Sequence, residues 1–416
     1  MITFTALCLL LISADVTLAQ RNRAIFRLPT QRMLNRYGLE RAWMSQATLD
    51  PTRDQVRHLV ADEDVVYIQS RQGLVTAFDA LNGKKLWAAQ LGRTSSVSFP
   101  ITSNDEMAVV ITGTQMIALE KYTGKLLWKI GIPSAASTQA TMDDDHIYVG
   151  ARDGSVYAFD LRKIRELFEK NLLPQWSNLT LLWRFKSYKT VVTPPISTGR
   201  VVNFASQGGS LYSITTNDRK LVFQFELDGP ASAPMAFSRG ELDKTKKSFK
   251  RYLYLPSEDM KLYCVNMDNG RVRWEYMAGL PIRKAPRVIK DNLRDDVYLT
   301  PVRGGMHCLN EKTGKLIWRR PDVTEFLAAT PTLVYASDQV GNVLLLSRKD
   351  GAVIGHLPLR NFQIRLSNGR TDRLFIATKT GLLVCIREQG QSFPIYHQYP
   401  DRRPLLPELT PAPMTP

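Results

Sequence analysis

The chain has 416 residues, room for two or three ordinary domains or for one repeat array. Hydrophobic residues make up 44% of it, which excludes disorder for most of its length. The formal net charge of +16 favours acidic partners and says nothing about fold; its bland alternative is a basic surface that aids solubility.

Residues 1–19 read as a signal peptide: an apolar run over 2–12 is followed by Thr17-Leu18-Ala19, which ends on a small residue suited to cleavage. Cys8 lies inside the apolar run between Leu7 and Leu9, so no lipid attachment at a cut is expected. No later run approaches the roughly 18 apolar residues a bilayer span needs. An exported basic chain points to anionic lipid or envelope polymer as partner, and away from nucleic acid. Residues 20–38 carry Arg21, Arg23, Arg27 and Arg32 and read as a basic N-terminal linker. Residues 38–43 then resemble the end of a repeat whose front is missing, closing on Trp43.

The repeat itself first appears whole at residues 77–87. A small residue, Ala77, is followed six positions later by Gly83 and ten positions later by Trp87. The spacing returns at Ala118, Gly124 and Trp128, at Cys264, Gly270 and Trp274, and at Cys308, Gly314 and Trp318. Each copy follows a strand-like run rich in β-branched and aromatic residues, at 65–69, 107–112, 252–256 and 297–300. Asn82-Gly83 reads as a hairpin turn, because glycine takes positive φ without steric cost. A recurrence of roughly 40–50 residues with several strands per unit predicts propeller blades.

The third unit has strands at 146–150 and 155–160, but its turn is replaced by an insertion. Leu161, Ile164, Leu167, Phe168 and Leu172 share one side of a 3.6-residue period, which predicts an amphipathic helix stopped near Pro174. The repeat resumes at Trp183. The fourth unit carries Phe223 in the Trp slot and Arg219 in the Gly slot. The fifth contains a second insertion, 239–251, read as an exposed basic loop; Lys244, Lys246, Lys247 and Lys250 make it the candidate partner-binding element. The seventh unit has Gly355 in the Trp slot, and the eighth lacks its last strand. Residues 400–416 form a Pro-rich tail expected to be disordered.

The repeat slots are therefore Trp43, Trp87, Trp128, Trp183, Phe223, Trp274, Trp318 and Gly355. Their number predicts an all-β, eight-bladed β-propeller of four-stranded antiparallel blades over residues 39–399, with one short helical insertion. The spare strand at 39–46 completes the last blade, which removes two sheet edges that would invite aggregation. The tryptophans are read as packing between neighbouring sheets rather than as stacking platforms for a flat ligand.

The pattern Ala-x-Asp-x-x-Thr-Gly-Lys-x-x-Trp resembles the tryptophan-docking repeat of pyrroloquinoline-quinone-type propellers over about residues 39–390. The resemblance implies either a quinoprotein dehydrogenase or a non-enzymatic relative. The latter include the propeller lipoprotein of the outer-membrane β-barrel assembly machinery. Many quinone-binding members carry a vicinal Cys-Cys disulfide, together with a calcium site of Glu, Asn and Asp and a catalytic Asp. No segment here matches those contexts, so no cofactor, metal or catalytic residue is expected. Asp143-Asp144-Asp145 reads as a solvated turn. Cys264, Cys308 and Cys385 align with Ala77, Ala118 and Ala158 and read as small apolar residues, not ligands.

The leading expectation is a non-catalytic exported scaffold, in the periplasm or cell envelope and not lipid-anchored, that binds envelope proteins. The alternatives are a quinone-dependent dehydrogenase, or a binder of anionic polymer or small ligand at the mouth of the central channel.

Overall fold

The computed structural model describes residues 28–92, 98–243, 248–291 and 294–397. The expected signal peptide, Lys244, Lys246, Lys247 and the Pro-rich tail lie outside them. Eight four-stranded antiparallel sheets form the predicted propeller. Blades 1 to 7 follow one another over residues 56–90, 102–131, 141–186, 196–226, 236–277, 287–320 and 323–357. Blade 8 takes Ile364–Arg365, Leu374–Ala377 and Leu382–Glu388 from the end of the chain and Leu39–Gln46 from its beginning. The N-terminal strand runs antiparallel from Leu39 opposite Glu388 to Gln46 opposite Leu382, as the spare repeat end predicted. Glu40 accepts from Arg387 Nε at 2.6 Å across that closure.

The first strand of each blade lies innermost, where neighbouring blades meet. Several of these inner strands have only two residues, such as Thr102–Ser103, Thr141–Met142, Ile196–Ser197 and Ile364–Arg365. After the inner strands sits a turn device that the repeat spacing did not reveal. Asp62, Asn104, Asp143, Thr330 and Asn368 each accept hydrogen bonds from backbone N–H groups two and three residues on, closing the link into the second strand. Asp143 is thus a half-buried turn residue, and it also accepts from Tyr148 Oη at 3.2 Å.

The core lies between blades, and the tryptophans hold it. Each of these aromatic repeat residues sits opposite a small partner on the adjacent strand: Ala77 faces Trp87, Ala158 faces Trp183, Ser213 faces Phe223, Cys264 faces Trp274, Cys308 faces Trp318 and Cys385 faces Trp43. The indole then reaches into the next blade. Trp43 Nε1 donates to Ala80 O at 3.0 Å, Trp87 to Lys121 O at 2.8 Å, Trp183 to Thr216 O at 2.6 Å, Trp274 to Glu311 O at 2.9 Å and Trp318 to Arg348 O at 3.0 Å. The repeat glycine serves this contact. Gly83 has φ +73°, and a Cβ there would lie 2.4 Å from the Trp43 ring of the preceding blade. The turn around it is longer than a two-residue hairpin: Gly83 N–H donates to Asp79 O, and the Asp79 carboxylate accepts from Leu81 and Asn82 N–H. Arg219, at φ 56°, takes the glycine position in blade 4 and folds back to donate to Arg184 O at 3.0 Å.

Of the stretch expected to be a linker, Arg21, Arg23 and Arg27 lie outside the described residues, and residues 28–38 pack on the propeller. Helix α1 (Gln31–Asn35), capped by Thr30 Oγ1 accepting from Met33 N–H at 3.3 Å, buries Leu34 completely. Leu28, Met33 and Tyr37 pack on the same core between blades 7 and 8. Apolar residues interleaved with the arginines are what charge counting overlooked.

Candidate functional site

Antiparallel order places the links between first and second strands, and between third and fourth strands, on one face of the disc. Both insertions leave the propeller on that face. The first begins with helix α2 (Leu161–Glu169), whose cap Asp160 accepts from Arg162 and Lys163 N–H. Leu161, Ile164 and Leu167 bury one side against Trp128, so this helix covers the indole that a repeat turn covers elsewhere. The helix ends at Glu169, and Asn171 adopts φ 56°. Pro174 does not stop it: Pro174 lies in the first turn of a second helix, α3 (Leu173–Trp176), where a missing N–H costs nothing. Phe168, Leu172, Trp176 and Leu179 are left exposed on this insertion, Trp176 by 47%.

The described part of the second insertion is strand rather than the expected loop. Ala236–Asp243 and Ser248–Pro256 continue as paired strands through Leu242 opposite Phe249 and Asp243 opposite Ser248. Blade 5 therefore projects a β-hairpin from its inner edge. Lys250 is exposed on it, and Arg251 at its base donates to Thr198 O of blade 4 at 3.3 Å.

The channel wall of blades 6 to 8 carries a group of charges that no spacing rule joins in the sequence. Lys284 pairs with Glu325 at 3.0 Å. Arg287, on the inner strand of blade 6, donates from Nε to Ser367 Oγ of blade 8 at 3.0 Å. Arg365 donates from Nε to Phe362 O at 2.9 Å and also bonds Ser337 and Gly341. Burial holds both guanidinium groups below their usual range, and Glu325 opposes that effect on each. Near them the C-terminal segment crosses the ends of the inner strands. His397 N–H donates to Arg370 O at 2.8 Å, and its ring nitrogens lie 3.4 Å from Lys290 O and 3.1 Å from Ala329 O. Glu63 of blade 1 pairs with Arg370 of blade 8 at 2.9 Å.

Three charges occupy core positions just after the third strand of their blades. Lys121 lies 3.0 Å from Asp62 and 3.4 Å from Asp64; Arg348 Nε lies 2.9 Å from Asp296 and also pairs with Asp291; Glu311 accepts from Tyr254 Oη at 2.5 Å. Burial pushes Asp64 up, while at Asp62 burial is outweighed by Lys121, Ser103 and two backbone N–H groups, which hold it down. The cost of taking such charges out of water offsets much of their attraction, so the pairs add little net stability. Cys264, Cys308 and Cys385 are buried free thiols. Burial pushes Cys264 and Cys385 to about 12 and raises Cys308 further, so none is a thiolate nucleophile at neutral pH. Among the described residues no group of His, Cys, Asp and Glu could hold a metal ion, and no helix is long and apolar enough to cross a membrane.

Known proteins agree with this architecture. The chain is similar to the outer membrane protein assembly factor BamB of Moranella endobia (strain PCIT), 18% identical over 373 residues that cover 84% of this chain and 90% of that protein. It is similar to the BamB of Burkholderia pseudomallei (strain K96243), 22% identical over 323 residues, 72% and 75% of the two. The crystal structure of BamB from Moraxella catarrhalis superposes with a TM-score of 0.61 at 18% identity, covering 85% of this chain and 98% of that one, a likeness of fold. A family model described as outer membrane protein assembly factor BamB matches residues 71–180 and 175–354, spanning most of blades 1 to 7. With the repeat, the blade count and the closure all of this kind, the chain belongs to the outer membrane protein assembly factor BamB family.

Proposed function

We propose that this chain is a non-catalytic scaffold, exported to the periplasm or cell envelope, that binds outer-membrane assembly proteins through the face bearing the two insertions. The family relationship supports the process. The observation that carries the choice of face is that the helical insertion of blade 3 and the hairpin of blade 5 leave the propeller on the same side. Exposed aromatic and leucine side chains beside basic residues suit a protein interface, where such groups supply the anchors.

The test is recovery of partners from a solubilised envelope fraction with the purified chain as bait. Outer-membrane assembly proteins should be enriched. Trp176→Asp on the helical insertion, and reversal of Lys244, Lys246, Lys247 and Lys250, should each reduce that enrichment without unfolding the protein. Unchanged recovery by both variants would move the docking surface elsewhere. Stoichiometric uptake of pyrroloquinoline quinone with a new absorbance band would replace this reading with the dehydrogenase one.

A further inference from the structure

Arg287 is placed unusually for an inner-strand residue. It begins the inner strand of blade 6, Arg287–Ile289, yet its side chain passes blade 7 and meets blade 8. A Cβ on Gly369 would lie 3.0 Å from Arg287 Cδ, so the missing side chain there leaves the guanidinium its path across the channel. Only Nε is engaged, by Ser367; neither Nη makes a hydrogen bond or ion pair among the described residues. Arg365 reaches the same region from the inner strand of blade 8, and its own donors go to carbonyl and hydroxyl oxygens rather than to a carboxylate. Glu325, on the inner strand of blade 7, is already bound by Lys284 and acts on both arginines. Exposed Lys284 and half-buried Arg287 and Arg365 thus gather about Glu325, with Asp338 also acting on Arg365 and Arg370 on Arg287.

An arginine stays charged at neutral pH even where burial disfavours it. Excess positive charge held away from bulk water attracts a second anion far more strongly than the same charge on an open surface. A guanidinium edge with both Nη groups open is the geometry that receives a carboxylate or phosphate through paired hydrogen bonds.

We propose that the channel wall of blades 6 to 8 binds a small multivalent oxyanion, a compound with two or more carboxylate or phosphate groups, held by the open edge of Arg287 and by Lys284. Arg365 and Glu325 position the two cations, and Ser367 fixes Arg287 across the opening. This site is separate from the insertions and does not rest on the docking reading.

The experiment is calorimetric titration of the full chain with pyrophosphate and, separately, with citrate at low ionic strength. One-to-one binding of either is expected, weakened by added salt. Binding of pyrophosphate alone assigns the phosphate class, and binding of citrate alone the carboxylate class. Arg287→Gln should weaken the bound anion at least about tenfold, the loss expected for one charge-assisted hydrogen bond. Lys284→Gln, at an exposed position, should weaken it too and serves as the deciding variant if Arg287→Gln does not fold. Lys170→Gln on the helical insertion should leave the affinity unchanged. Absence of heat with both anions at millimolar concentration would overturn the proposal. So would an affinity that the deciding variant leaves as it is in the wild type.

Discussion

Tyr37 lies over Gly355 so closely that a Cβ on the glycine would sit 2.4 Å from Tyr37 Cε1. Blade 7 is the one blade whose repeat position has no aromatic side chain, and the segment after α1 supplies one from outside the blade. The ring enters the core that contains Leu34, Leu39, Leu345 and Leu357. The N-terminal segment thus completes two blades at once, blade 8 with a strand and blade 7 with a side chain.

Gly355→Ala should destabilise the fold by roughly 1–3 kcal/mol, the range for overpacking a filled site. Tyr37→Ala should cost about 3 kcal/mol, as for an aromatic side chain removed from a core. The two changes should cost less together than their sum, because the second removes the clash that the first creates. Urea unfolding of the two single variants and the double variant measures this; strict additivity would show that the contact carries no energy.

Trp318 and Trp176 offer a contrast within one residue type. Trp318 is 7% exposed and donates to Arg348 O, and Trp318→Ala should cost on the order of 3–5 kcal/mol. Trp176 stands on the helical insertion, and Trp176→Ala should cost less than about 1 kcal/mol. Chemical denaturation that found both changes equally mild would remove the packing role of the repeat tryptophans.

Stability should fall with acid through His397. Burial depresses this imidazole from its usual 6.5 to about 4, despite the two nearby carbonyls. Its folded value lies below its unfolded one, so its contribution is fully present above pH 6.5 and is lost as pH falls from 6.5 towards 4. The loss amounts to roughly 3 kcal/mol at the acid end. In His397→Gln that part of the slope should vanish. A pH series of unfolding midpoints for both proteins tests it, and parallel curves would place His397 in an exposed setting.

Deleting residues 39–46 should abolish soluble folding. It removes Trp43 from the core between blades 8 and 1 and leaves Leu382–Glu388 as an open edge. Size-exclusion chromatography and circular dichroism of the truncated chain report the outcome; a folded monomer would mean that the ring tolerates seven and three-quarter blades.

The parts of the architecture that were legible share a cause. Gly83, Gly124, Gly270 and Gly314 must leave room for an aromatic ring of the preceding blade, and the small residues opposite the tryptophans must leave room within the blade, so geometry writes itself at fixed spacing. The inner strands left no such trace, because two residues such as Ile364–Arg365 are too short to alternate. Tyr37 was missed because the residue it serves lies far away along the chain. The group of Arg287, Glu325 and Arg365 was missed because each member sits on a different blade. The charge of the blade 5 insertion predicts a loop, whereas Leu242 and Phe249 continue a strand pair.

Closure by Leu39–Gln46 also imposes an order in time. This strand finds its partner only once Leu382–Glu388 is available, so the earliest repeat tryptophan to leave the ribosome waits for the last strand among the described residues. Joining segments so distant costs loop-closure entropy before any contact repays it, which makes such contacts slow to form. Until then Val56–Ala61 and its neighbours face solvent on the flank where blade 8 will stand. A protein of this design spends its youth with an open seam, and the apolar flank of that seam is exposed until the ring is shut.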